Sequence, residues 1–363
     1  NIYLKKKFMN KIKIQVAHDG ADEVKDLQNK AKLFGNKENL KVGYVGHLYK
    51  GKGMEIIDSI ANKFNDDVDF HIIGGTERDI SLWKKKIGHK NVYFYGHISH
   101  KDVSSYINTL DVCLLPNQKI VRPHGGKDTT VNISGYTSPL KLFEYMSHNK
   151  AIIASDFPVI REVLNEKNSI LVDCDDIEEW VSSIKKLQDL KNRELISNQA
   201  LNDFYKYTWK NRGISVLENI KNRILYASKS IMPSRTANSI HVMKMCQAFA
   251  ENGNEVVLLA PNIQSQYEQG VENIFEYYGV KKNFEIKKLW HPDVTGGAII
   301  YTLGIFFYLI FTKNFNLVYG RFLQGCYVAT FLKNRVIFES HESIFDMKKL
   351  RYFVFKQLVK SKS

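Results

Sequence analysis

Cysteine is scarce in this 363-residue chain, and the four present, Cys113, Cys174, Cys246 and Cys326, lie far apart in or beside apolar segments. That excludes a disulfide framework and a zinc-binding pattern, and it predicts reduced, buried thiols of a cytoplasmic protein. Nowhere do His, Cys and carboxylates cluster at metal-ligand spacing, so metal-independent chemistry without a cofactor is expected. A long basic block and a nucleic-acid motif are both missing, which argues against a nucleic-acid partner. The basic stretch Asn1–Asn10 lacks the apolar core of a secretory signal. Long apolar runs are also lacking. Val294–Thr312 carries no charge and Ile299–Phe311 is strongly apolar, yet a membrane span needs about 20 such residues. A core helix that partly dips into a membrane interface is the expectation.

With 44% apolar residues and 25% charged ones, the chain can build two ordinary globular domains. The net charge of +14 favours anionic partners such as phosphorylated substrates or the anionic inner face of the cell membrane. Lys and Arg are spread along the whole chain, so compositional bias accounts for part of this charge.

In the first half, short apolar segments alternate with helical ones. Leu40–Gly46, Asp69–Gly75, Asn91–Gly96, Asp111–Pro116, Ala151–Ser155 and Ser169–Val172 predict strands of a parallel sheet covered on both faces. In the helix that starts at Met54, Ile57, Ile60, Ala61 and Phe64 fall on one side. Ligands of such sheets gather at the carboxyl ends of the strands, where Gly46, Gly75, Gly96 and Pro116 lie. Residues 117–137 form a long loop rich in Gly, Thr and charge, suited to a binding loop or lid. The pattern restarts at Asn222. Arg223–Ser228, Glu255–Ala260, Phe284–Leu289, Leu317–Arg321 and Val336–Ser340 predict a second series of strands, and Ser239–Asn252 a helix stopped at Gly253.

Two motifs carry chemistry. Tyr44-Val-Gly-His-Leu-Tyr-Lys-Gly-Lys-Gly53 follows the first strand. Its glycines Gly46, Gly51 and Gly53 permit a tight turn and close approach to a ligand, and Lys50 and Lys52 bring positive charge to the next helix start. In Ser138-Pro-Leu-Lys-Leu-Phe-Glu-Tyr-Met146, Ser138 is expected to N-cap a helix with Pro139 at its first position. The free backbone amides of Pro139–Leu142 (Leu140 and Lys141 among them) then suit a phosphate, and Glu144 suits sugar hydroxyls.

Together these motifs resemble the donor-binding half of the family-4 retaining glycosyltransferases, which have two facing Rossmann-like domains (GT-B type). The likeness runs from about Val16 to Ile220. It implies a nucleotide-sugar donor as co-substrate. Lys52 matches the family's phosphate-binding Lys. His47 stands where the family usually has Arg, with Lys50 as a compensating charge. Glu144 matches the second Glu of a Glu-x7-Glu motif and implies a ribose clamp, whereas the first position is Tyr136. Gly46, Gly75 and Tyr95 fall in the donor region, and Gly96 and His97 near the base.

The second half resembles the family's acceptor domain. Ile231–His241 sits where the acceptor-side loop follows the first strand, and Phe338-Glu-Ser-His-Glu342 resembles the strand end that carries the active-site His, here His341. Glu339 and Glu342 beside it would tune that His or be solvated. Asn238 and Arg321 are acceptor- or phosphate-contact candidates. The halves therefore stand in reversed order: a donor domain over 16–220 and an acceptor domain over 222–363, which residues 1–15 complete. Circular permutation, two adjacent partial transferases and an assembled fragment all fit that order. The resemblance implies transfer with retention to a bacterial surface glycan or lipid-linked acceptor. A noncatalytic nucleotide-sugar-binding relative and a sugar epimerase or phosphorylase of the same architecture are the alternatives.

Overall fold

The computed structural model describes residues 15–64, 66–121, 132, 134–135, 138–217, 222–312, 314–332, 334–340 and 347–361. These residues fall into two compact units: Asp19–Thr208, and the described parts of 1–18 with 209–363. Each unit is built on one parallel sheet.

The first unit runs β1 (Leu40–Val45), α1 (Met54–Ala61), β2 (Val68–Ile73), α2 (Glu77–Lys86), β3 (Val92–Gly96), α3 (His100–Thr109), β4 (Val112–Leu115), α4 (Leu140–Ser147), β5 (Ala151–Ser155), β6 (Ile170–Val172), α5 (Ile177–Lys186) and α6 (Leu190–Phe204). The strand order is β3-β2-β1-β4-β5-β6. Every predicted strand of this half is present within a residue or two of its expected ends. The alternation of strand side chains explains why both sheet faces must be covered. Val42 and Tyr44 of β1 join Phe70, Ile72, Val112 and Leu114 in one apolar layer. Val45 joins Ile73, Cys113, Leu115, Ile152 and Ala154 in the other. Residues 19–39, which carry no apolar period, lie against the sheet by hydrogen bonding. Asn36 N donates to Asp69 Oδ2 (2.9 Å) and Phe34 N to the Tyr95 hydroxyl (2.8 Å).

The second unit runs α7 (Trp209–Leu217), β7 (Arg223–Ala227), α8 (Ala237–Glu251), β8 (Glu255–Asn262), α9 (Ile274–Tyr277), β9 (Glu285–Trp290), α10 (Gly297–Thr312), β10 (Leu317–Gly320), α11 (Leu323–Thr330), β11 (Arg335–Phe338) and α12 (Lys349–Lys360). Its strand order is β11-β10-β7-β8-β9. Both orders are those of doubly wound nucleotide-binding sheets, in which the chain leaves the first strand one way and later crosses to its other side. Helix α7, read from the sequence as the end of the donor half, belongs to this second unit. Gly213 of α7 lets the helix pack closely on Ala248 and Phe249 of α8. All four cysteines are buried and free, as expected.

Two buried histidines set the acid limit of the first unit. The His71 ring stacks on Tyr93 and its Nδ1 accepts from the Tyr95 hydroxyl at 2.9 Å, while Nε2 has no partner among the described residues. His148 donates from Nδ1 to Glu144 O (2.6 Å) and accepts at Nε2 from Ser104 (2.8 Å). Burial, aided by the charge of Lys41, pushes His71 down to about 4. Burial likewise takes His148 to about 4, against a smaller upward pull from its bond to Glu144 O. Both rings fold neutral, so the unfolded chain binds more protons between the unfolded value near 6.5 and the folded value near 4. Stability is therefore full above about pH 6.5 and declines as pH falls through this window, by roughly 3 kcal/mol per ring at its foot. Thermal unfolding between pH 4 and 7 should show this slope, and His71→Phe should flatten part of it.

Candidate functional site

β1 and β4 are neighbours in the first sheet, and the chain winds away from them in opposite directions, so a crevice opens at their carboxyl ends. The loop after β1 and the segment before α4 meet there, and glycine makes the meeting possible. A Cβ on Gly53 (φ +87) would lie 1.8 Å from Pro116 O, and one on Gly51 (φ +93) would lie 2.4 Å from Ile120 O. A Cβ on Gly46 (φ +147) would lie 2.4 Å from Lys141 Nζ. Side chains at Gly51 and Gly53 would press on backbone and force the two loops apart, whereas one at Gly46 would displace the Lys141 ammonium.

Lys52, Lys141 and Glu144 share this crevice. Lys141 donates from Nζ to the Tyr44 hydroxyl (2.9 Å), and that ammonium lies 4.1 Å from the Tyr44 ring centroid. The Tyr44 hydroxyl in turn donates to His47 O at 2.7 Å. Burial lowers Lys141 well below the ordinary lysine value, the nearby charge of Lys52 lowers it further, and Glu144 opposes the shift. Lys52 is 9% exposed, lies 5.3 Å from the Tyr49 ring, and is brought down by burial to about 8. Lys141 is thus set between the charges of Lys52 and Glu144 in a partly desolvated crevice, a setting that favours an incoming anion.

The first turn of α4 adds donors. Pro139 takes the N-cap position, with no side-chain cap, and Leu140 begins the helix. Ser138 was expected to cap but does not: its hydroxyl accepts from Asp19 N at 3.1 Å. Leu142 N turns back to Pro139 O (3.0 Å), so the amides of Leu140 and Lys141 are the ones without an intrahelical acceptor. Together with the positive end of the helix dipole they make an anion-binding end.

Other expected site residues fall near or away from this cluster. Gly75 (φ +83) packs on Leu48 in the same loop region, and the preceding Gly74 lies against Gly46 O. His47 and Lys50 are exposed on the β1–α1 loop. Tyr95 takes its contacts from β2 and from residues 19–39. Its hydroxyl bonds His71 and Phe34 N, its ring stacks on Phe34 at 5.5 Å, and burial pushes it up to about 12. It anchors residues 19–39 to the sheet. Tyr136 lies outside the described residues.

In the second unit, Arg321 and Asn238 meet at the corresponding switch point, after β10 and at the start of α8. Arg321 Nη1 donates to Asn238 Oδ1 at 2.7 Å, and Asn238 donates to Ser230. Glu339, which follows β11, is a half-buried hub. It accepts from Arg212 (2.9 Å) and from the Tyr319 hydroxyl, and it pairs with His241 (3.2 Å) and Arg321 (3.4 Å). Burial alone would raise the Glu339 carboxyl, but His241, Arg212 and Arg321 outweigh it and hold it well below the usual range. Arg212 also donates to His18 O (2.7 Å) and Ala17 O (3.2 Å), tying residues 17–18 to this unit. Sequence reasoning missed Arg212 and His241. The available signal was a charged and a titratable group on helices whose neighbouring positions are apolar. His341 lies outside the described residues.

Residues 39–189 match the family described as Glycosyl transferases group 1. A 113-residue stretch is 27% identical to an uncharacterized 41.2 kDa protein in the cps region of Klebsiella pneumoniae, covering 30% of this chain and 31% of that one. Among solved structures, sucrose-phosphate synthase from Thermosynechococcus elongatus aligns with a TM-score of 0.47 at 18% identity, over 60% of this chain and 54% of that one. The lipopolysaccharide outer core galactosyltransferase WaaB aligns with a TM-score of 0.42 at 15% identity, over 57% and 56%. Anabaena HepE in complex with UDP-glucose aligns at 0.40 and 16%, over 50% and 49%. The chain thus spans less than two thirds of each of these proteins. Gly46, Lys52, Lys141 and Glu144 all lie inside the stretch that matches the glycosyl transferases group 1 family.

Proposed function

We propose that the chain is a retaining glycosyltransferase that takes a sugar from a nucleotide-sugar donor and passes it to a surface glycan or lipid-linked acceptor. The observation that carries this reading is the pair of desolvated lysines, Lys52 and Lys141, beside the open first turn of α4 at the sheet's switch point. The donor's diphosphate sits against the Leu140 and Lys141 amides, and Glu144 accepts from ribose hydroxyls. As the bond between the anomeric carbon and the diphosphate breaks, negative charge grows on the departing oxygen. Lys52 neutralises it at a site where water cannot screen the interaction fully. The acceptor hydroxyl forms the new bond to the anomeric carbon on the face the diphosphate leaves, and its proton passes to the departing phosphate oxygen. In this reading Lys52 and the amide end of α4 oppose the diphosphate, and no metal is invoked.

In this reading the second unit supplies the acceptor side, with Asn238, Arg321 and His341 as its candidate residues. One enzyme with its halves permuted accounts for the reversed order, and Arg212 holding residues 17–18 to the second unit supports it.

Isothermal calorimetry with UDP-glucose, the ligand of the HepE structure, tests the donor site. Lys52→Ala and Glu144→Ala should each fold normally and weaken binding by about 1.5–3 kcal/mol, the worth of a charge-assisted hydrogen bond. Unchanged affinity in both folded variants, across a panel of nucleotide sugars, would remove the assignment. The pH profile supplies a second test. Lys52 near 8 is charged at pH 7 and loses its proton as pH rises, so donor affinity should decline above about pH 8. Lys52→Ala should lose that alkaline limb.

A further inference from the structure

Helix α10 has two apolar faces, and the sheet covers only one. Gly297, Tyr301, Ile305 and Leu309, spaced by four, are buried on the sheet side, and the Tyr301 hydroxyl donates to Ser228 O at 2.7 Å. The opposite stripe, Ile299, Leu303, Phe307 and Phe311, repeats the same spacing in the open. Ile299 is 68% and Phe311 82% exposed, and the rings of Phe307 and Phe311 stack on one another at 6.5 Å. Trp290 and Val294, just ahead of the helix, are exposed as well. With 16 residues the helix is about 24 Å long, short of the bilayer's apolar thickness of about 30 Å. No helix among the described residues is long and apolar enough to cross a membrane.

The surrounding sequence is basic. Residues 281–363 hold fourteen Lys or Arg against five Asp or Glu. On β9, Lys287 shares the face of Leu289, which packs under Gly304 of α10, and pairs with Glu285, whereas Lys288 turns to the other face over the Tyr267 ring. Helix α12 repeats the pattern, with Leu350 and Phe353 exposed among Lys349, Lys356 and Lys360. Helix α11 packs against both α10 and α12.

We propose that α10 docks this unit on an anionic lipid bilayer, lying in the plane of the interface. Ile299, Leu303, Phe307 and Phe311 enter the boundary between headgroups and acyl chains, and the exposed lysines of α12 meet lipid phosphates. A second copy of the chain is the competing occupant, and charge decides against it: apposing two such surfaces sets like charge against like. The inference rests on α10 and its surroundings and is independent of the donor site.

Sedimentation with vesicles of equal parts phosphatidylglycerol and phosphatidylcholine tests it, with pure phosphatidylcholine vesicles as the comparison. The protein should bind the anionic vesicles, less so as salt rises, and only weakly the neutral ones. The double variant Phe307→Ser, Phe311→Ser changes exposed side chains and should keep the native melting temperature while binding about tenfold more weakly. Lys349→Glu with Lys356→Glu should reduce anionic-vesicle binding and spare the fold. Equal partition of the Ser variant and the parent protein would overturn the proposal, since charge alone would then explain binding. So would failure to bind anionic vesicles together with a dimer, seen by sedimentation velocity, that the Ser variant abolishes.

Discussion

Lys52 and Lys141 are held where burial makes both charges expensive and the charge of Lys52 makes that of Lys141 more so. Glu144 offsets the cost at Lys141 only in part. A folded chain tolerates such a pair when surrounding structure leaves no alternative. Here the constraint comes from the sheet: β1 and β4 are adjacent, so the loop after one and the helix after the other must converge. An anion that enters the crevice relieves the repulsion, and that relief is available as binding energy.

Convergence at this depth depends on missing side chains. Gly53 approaches Pro116 O, Gly51 approaches Ile120 O and Gly46 approaches the Lys141 ammonium, all with positive φ. The same glycines therefore fix the backbone of the β1–α1 loop and bring its lysine to the α4 terminus. The second unit handles charge differently. Its Glu339 is surrounded by Arg212, His241 and Arg321, so the carboxylate is satisfied within the fold. Breaking such a network from one side leaves an uncompensated charge and costs more than the pair contributes. One switch point is thus poised for an anion, while the other rests on an internally neutralised network.

Much of this was legible in the residue order. Short apolar strands bounded by glycine, separated by helical stretches, identify a parallel α/β architecture because both faces of each strand must be buried. The strand ends then mark where Gly46, Lys52, Lys141 and Glu144 converge. Local chemistry misled at Ser138, which has the makings of a cap, but an amide of residues 19–39 claims its hydroxyl. Those residues also bond Tyr95, through Phe34 N. They have no apolar period to announce that they dock. The Glu339 network was hidden for another reason: Arg212 and His241 lie 127 and 98 positions from it in the chain. In α10, apolar all round, no pattern could tell which face the sheet would cover.

The central claim is that the crevice between β1 and β4 binds a diphosphate through Lys52 and the first turn of α4. A crystal structure of the chain with UDP tests it most directly. The account predicts the diphosphate within hydrogen-bond distance of Lys52 Nζ and of the Leu140 or Lys141 amide, with Glu144 on the ribose. UDP bound elsewhere on the chain, with Lys52 and the α4 terminus untouched, would contradict it.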